Sequence, residues 1–201
     1  FNLIKFSKEY GKFIKIGLPI LGSQLVMYAM TTVDYIMAGY YSSDDLAGVG
    51  LAAAIYSPVY FLTAGAMFAI SPIIAQHFGA KEYTQIKIKT RKFLWTGLFV
   101  GFIFYLILSN AGIIFDFLDT FANEFNLGNL AITEEKIKTI SLGYLNIVAF
   151  AAIPITLFQV FRGYSEGITQ TRIVFILGLL GFLINIPLNY YFIFELDMGG
   201  V

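Results

Sequence analysis

The apolar run Gly17 to Tyr40, GLPILGSQLVMYAMTTVDYIMAGY, carries one carboxylate, Asp34. A helix of about 20 apolar residues crosses a hydrocarbon core of roughly 30 Å. An ionisable side chain at the centre of such a helix costs about 2.5 to 3.5 kcal/mol on insertion scales, so an acid kept there is a candidate for proton or cation exchange. At 100° per residue, Ser23, Met27, Thr31 and Asp34 fall on one side of this helix with Gln24 beside them, a stripe expected to face protein or water rather than lipid. A second run, IVFILGLLGFLINIPLNYYFIF, sets Gly178, Gly181, Asn185 and Asn189 within one narrow arc. Carboxylate and amide oxygens at one depth could bind a proton or a hard cation such as Na⁺, which takes oxygen ligands by the same logic as Ca²⁺. The same residues could instead serve as interhelical hydrogen bonds that hold a bundle together.

These side chains need membrane helices to position them, and the composition supplies them. Of 201 residues, 58% are hydrophobic and 13% charged, against about 25% charged in soluble domains; mean hydropathy is +0.75. The fold class expected is an all-α integral membrane protein, a polytopic helix bundle. Five spans are predicted at 13–40, 46–76, 93–117, 139–161 and 173–194. They are predicted as helices because the alternation of barrel strands is missing. At 1.5 Å per residue from the predicted cytoplasmic ends, Asp34 lies roughly 30 Å along its span, and Asn185 and Asn189 roughly 18 and 24 Å along theirs, all in the outer half. Pro19, Pro58, Pro72, Pro154 and Pro187 all fall within spans, where each removes a backbone donor.

The connections alternate in charge. Lys5, Lys8, Lys12 and Lys15, then Lys81, Lys87, Lys89, Arg91 and Lys92, then Arg162 and Arg172 make up 11 of the 13 basic residues. The opposite side has Lys136 and Lys138, among acids that include Asp44, Asp45, Asp116, Asp119, Glu124 and Glu134. The Lys/Arg bias puts the N-terminus in the cytoplasm. Net charge is zero and no nucleic-acid partner is expected; cysteine is absent, which removes disulfides and thiolate chemistry. The chain starts with Phe and stops at MGGV, where a further segment would begin, so it is expected to be part of a longer protein.

The other polar residues carry blander expectations. His77 reads as a snorkelling tip at the cytoplasmic interface, and Arg162 with Glu166 as an exposed interfacial pair. Tyr40, Tyr41, Tyr83, Tyr144, Tyr190 and Tyr191 read as an aromatic belt. Gly97 and Gly101 form a GxxxG that permits close helix approach, and Gly11, Gly79 and Gly128 read as turn residues. No HExxH, GxSxG or phosphate-binding glycine loop is present, and no enzymatic activity is expected.

Taken together, GLPI at 17–20, VDYIMAG at 33–39, the DLAGVGLA stretch from Asp45, PIIAQHFGA at 72–80, FQVFRGYSEG at 158–167 and NIPLNY at 185–190 followed by GGV resemble the multidrug and toxic compound extrusion (MATE) transporters, in their NorM-like branch. The resemblance implies twelve helices in two lobes of six, with this chain supplying helices one to five of the N-lobe and the start of a sixth near residue 199. It implies that Asp34 is the helix-one acid used in cation or proton coupling, with Asn185 and Asn189 in its network, and that Pro19 is a hinge. Gln24, Met27 and Thr31 are candidate cavity-lining residues. Asn189 stands where archaeal and DinF-like members have aspartate, which fits the NorM-like pattern and argues against a Na⁺ site confined to this lobe.

The function so implied is antiport of organic, often cationic or aromatic, compounds against H⁺ or Na⁺, in a bacterial inner membrane. No cofactor beyond the coupling ion is expected, and no metal site other than a possible Na⁺ at Asp34, Asn185 and Asn189. The expected partners are the lipid bilayer, small organic cations or drugs and the missing C-terminal lobe, in a complete protein that is monomeric. Two alternatives are a lipid-linked sugar flippase, for which basic residues inside the bundle are expected, and a non-transporting membrane scaffold subunit.

Overall fold

The computed structural model describes residues 3–124 and 135–200. Gly128, Glu134 and the side chains of Lys5, Lys8 and Lys12 lie outside the described residues. Seven α-helices follow in order: α1 Leu3–Tyr41, α2 Ser43–Phe68, α3 Ile70–Gly79, α4 Tyr83–Ser109, α5 Ala111–Glu124, α6 Glu135–Gly167 and α7 Thr171–Tyr190, which continues into a π-helical turn, Tyr191–Glu195. Among the described residues five helical stretches are long and apolar enough to cross a membrane. The protein is a multi-pass, all-helical membrane protein.

The helices are longer than the apolar spans, and two spans are broken. The second breaks at Ala69 because Pro72 has no N–H for the Phe68 carbonyl four residues earlier; as the third residue of α3, Pro72 sits in a first turn, where it is tolerated. The third does not run unbroken to Phe117. It ends at Ser109, where the Asn110 amide donates back to the Leu106 carbonyl at 2.8 Å and competes with the helix ladder. Lys87, Lys89, Arg91 and Lys92 are not loop residues but occupy the first turns of α4, since strong helix formers carry the helix past its apolar part. Gly11 lies inside α1, and Gly79 ends α3 without turning the chain. The left-handed turn conformation falls on Lys81 (φ 61°) instead.

α6 is the central post, packed against α2, α3 and α4. On its face Leu145, Ala149 and Ala152 meet Ala52 of α2 and Phe104 and Leu108 of α4, with Phe115 of α5 beside them, all fully buried. A second cluster joins Met67, Ile70, Ile74 and Ile86 to Val160. The GxxxG of α4 sits on this interface. A Cβ on Gly101 would come within 3.0 Å of the Ile153 Cα, and the buried Thr156 hydroxyl donates toward the Gly97 carbonyl at 3.0 Å. This is bundle packing, the bland expectation for the motif.

α1 and α7 form a separate pair, packed chiefly on one another. Phe175 of α7 lies over Gly22 of α1, and Ser23 is buried with its hydroxyl bonded to the Pro19 carbonyl at 2.8 Å. The inward stripe of α7 runs through Val174, Phe175, Gly178, Phe182, Asn185 and Asn189. Gly181, placed in that arc from the sequence, is exposed with no neighbour within 4 Å of a Cβ built on it. Phe182 takes its place, because at the same 100° of rotation per residue position 182 lies closer than 181 to the line through 175, 178, 185 and 189 once Phe175 is included in the stripe.

Candidate cation-coupling site

Asp34 projects from α1 toward α7, and the Asn189 amide donates to its Oδ1 at 2.5 Å. The same amide nitrogen donates to Asn185 Oδ1 at 3.2 Å, one turn earlier on α7. Both hydrogens of one side-chain amide are thus engaged, one on a carboxylate and one on a neighbouring amide oxygen. The hydrogen bond to an ionised acceptor is the stronger kind. All three residues are half-buried, and they line a cleft of about 410 Å³.

The other walls come from three directions. α6 contributes Tyr144, α2 contributes Val49, and the segment after the π turn contributes Met198, Gly199 and Gly200. Among the described residues no Lys or Arg lines the cleft. The arrangement presents the carboxylate and amide oxygens of neighbouring helices to a shared space. A proton on Asp34 would turn that carboxyl into a donor; an Asn189 amide turned to accept it would set its oxygen against Asn185 Oδ1, so the two amides would have to turn together.

The remaining sequence candidates lie elsewhere. Gln24, Met27 and Thr31 are exposed and off this cleft; the Thr31 hydroxyl bonds back to the Met27 carbonyl at 3.2 Å. Pro19 lies within α1, fifteen residues before Asp34 in the same helix. His77 meets Glu82 at 2.7 Å across the turn between α3 and α4. Arg162 and Glu166 do pair, at 2.9 Å, but their side chains are only 10% and 20% exposed, so the expectation of an exposed pair is corrected. They face inward because Gln159, Arg162 and Glu166 share one face of α6.

That face forms a second polar cluster that the sequence reading missed. The buried Gln159 amide donates to the Tyr60 hydroxyl at 2.6 Å, and Arg162 reaches the Met27 sulfur at 3.4 Å. The signal was available in the spacing of 159, 162 and 166, three and four residues apart in an apolar span. Tyr144, read as part of the aromatic belt, instead walls the Asp34 cleft.

The family model MatE matches residues 19–191. The chain belongs to the MatE family. The match runs from Pro19 past Asn189, so it includes every residue of the Asp34 contact. Among solved structures, this MatE chain is similar to a MOP superfamily transporter from Pyrococcus furiosus, with a TM-score of 0.81 and 20% sequence identity. The likeness covers 94% of this chain and 39% of that one, and at this identity it is a likeness of fold.

Proposed function

We propose that this MatE chain is most of the N-lobe of a NorM-like secondary antiporter that exports organic, often cationic or aromatic, compounds in exchange for H⁺ or Na⁺. The observation that carries the reading is the Asp34–Asn189–Asn185 contact: an intramembrane acid, bonded across two helices, opening on a cleft. Asp34 is the exchanging group, and Asn185 and Asn189 hold it and adapt to its occupancy. Binding of the coupling ion and binding of substrate favour different arrangements of the helices, which is what exchange requires, since a ligand shifts an equilibrium only by its differential affinity for the two states. Pro19 provides the point at which α1 bends, having no N–H for the Lys15 carbonyl.

Among the described residues the cleft is lined by a carboxylate, amides and apolar groups and by no Lys or Arg, which supports a cation or neutral cargo over the phosphates of a lipid-linked sugar. The substrate path lies between this lobe and a second one, so the 201 residues alone do not transport. The N-terminus is cytoplasmic in a bacterial inner membrane, with the basic first turns of α4 on the same side.

Asp34→Asn in the whole protein tests the proposal, because it removes the titratable group and keeps shape and hydrogen bonding. We expect loss of driven efflux with normal membrane insertion. Efflux that still responds fully to an imposed proton or Na⁺ gradient would remove Asp34 from the coupling role.

A further inference from the structure

A second acid is buried at the end of the bundle away from the N-terminus. Asp45, in the first turn of α2, is 8% exposed. The helix end does not need its carboxylate, since Ser42 already caps α2 by accepting from the Asp45 backbone N–H at 3.0 Å. The Ser42 hydroxyl donates to Asp45 Oδ2. The other oxygen, Oδ1, accepts the backbone N–H of Gly200 at 2.7 Å, across 155 positions of sequence. A buried carboxylate is costly unless its oxygens are bonded, so this contact holds both partners.

Gly200 belongs to a strap, residues 196–200, that leaves the π turn of α7 and crosses to the α1–α2 corner. The strap bends at Asp197 (φ 54°) and Gly199 (φ 62°). Its last two residues fit only as glycines. A Cβ on Gly199 would stand 2.6 Å from Asp45 Oδ1 and 2.9 Å from a Tyr41 ring carbon, and one on Gly200 would stand 2.9 Å from Val49 Cγ2. Met198, Gly199 and Gly200 form one wall of the cleft that holds Asp34 and Asn189. The strap is therefore tied at one end to α7, which carries Asn189, and seated at the other on the Asp45 carboxylate of α2, with the Tyr41 hydroxyl of α1 donating to the Asp197 carbonyl at 3.5 Å.

We infer that Asp45 is a latch, a positioning residue that keeps the strap closed over the Asp34 cleft on the side away from the N-terminus. Release of Gly200 from Asp45, with movement of α7, opens the cleft to that side. What the opening accomplishes rests on the cation-exchange reading above; whether the strap is latched does not.

Val49, 7% exposed and directly beneath Gly200, is the place for a reporter. In the whole protein carrying Val49→Cys, in membranes, labelling by a water-soluble maleimide is expected to be slow. Asp45→Ala is expected to raise the rate about tenfold, the scale on which losing one charge-assisted hydrogen bond shifts a local opening equilibrium. Gly199→Ala unseats the strap from its own side, because its Cβ would stand 2.6 Å from Asp45 Oδ1 whatever residue 49 is, and is expected to do the same, so it decides the matter by itself if Asp45→Ala fails to fold. Asp45→Asn keeps an acceptor for Gly200 and is expected to label within about twofold of the parent, a rescue that a merely structural acid would not give. Parent-like labelling of both Asp45→Ala and Gly199→Ala, or labelling of Asp45→Asn as fast as Asp45→Ala, overturns the latch. The coupling role is read from driven efflux by Asp34→Asn and the latch from labelling of the Asp45 and Gly199 variants, so failure of one and failure of the other give different results.

Discussion

The body built on α6 and the pair formed by α1 and α7 are made of similarly apolar helices, yet they hold together differently. In the most apolar stretches of α2–α3 and of α6, 28% of residues are buried, and in α4 22%; in α1 and in α7 the figure is 6%. The body meets through glycine, alanine, close-fitting aliphatics and the buried rings of Phe104 and Phe115, whereas the pair meets through one phenylalanine over a glycine and a carboxylate that accepts from Asn189, itself bonded to Asn185. In lipid, helices gain no hydrophobic advantage from each other, so packing and polar contacts decide what is rigid. The body is the fixed part and the pair, with few buried contacts, is the part free to move. Asp34, the proposed exchanging acid, sits on the pair, and Asp45, the proposed latch, sits on the body.

Three pairs of substitutions can break this contrast or sharpen it. The largest expected effect is in the body: Phe104→Ala, at a fully buried position, should lower stability by about 3 to 5 kcal/mol, measured by denaturant unfolding in detergent. Phe150→Ala, 75% exposed, should be near neutral, and a similar loss at both sites would mean that the body is not close-packed. Next comes Gly101→Val, which forces α4 off α6 and should cost about 1 to 3 kcal/mol, while Gly181→Val, facing open space, should leave the melting temperature unchanged. The smallest effects belong to the polar contact. Asn189→Ala removes both bonds to Asp34 and Asn185 and should reduce driven efflux several-fold, whereas Asn185→Ala removes one indirect support and should be milder, with neither changing the melting temperature by more than a few degrees. Equal effects of the two would place Asn185 on the carboxylate as directly as Asn189.

The same contrast explains what could be read from the sequence. Asp34, Asn185 and Asn189 were legible because a carboxylate and amides in apolar spans have so few reasons to be there, and helical period alone puts the two amides on one face. The helix breaks at Ala69 and Asn110 were not, because hydropathy is continuous across both and the causes are local: a missing N–H at Pro72 and an amide that bonds backwards from Asn110. Gly181 was misplaced by one position in the arc, for small residues mark close approach only when a neighbour is there to approach. On the same face of α6, Gln159 meets Tyr60 and Arg162 meets Met27 from other helices, contacts that no local pattern contains. Asp45 looked like a loop acid until the strap returned to it from the far end of the chain.

The most direct test of Asp34 as the exchanging group is to measure what leaves the purified whole protein when substrate binds. In weakly buffered detergent solution, adding a fluorescent cationic dye to the parent should release a proton, or Na⁺ if the protein was loaded with it. The Asp34→Asn protein should still bind the dye and release neither. Dye-induced release of the same size from Asp34→Asn would contradict the assignment and move the exchanging group out of this cleft.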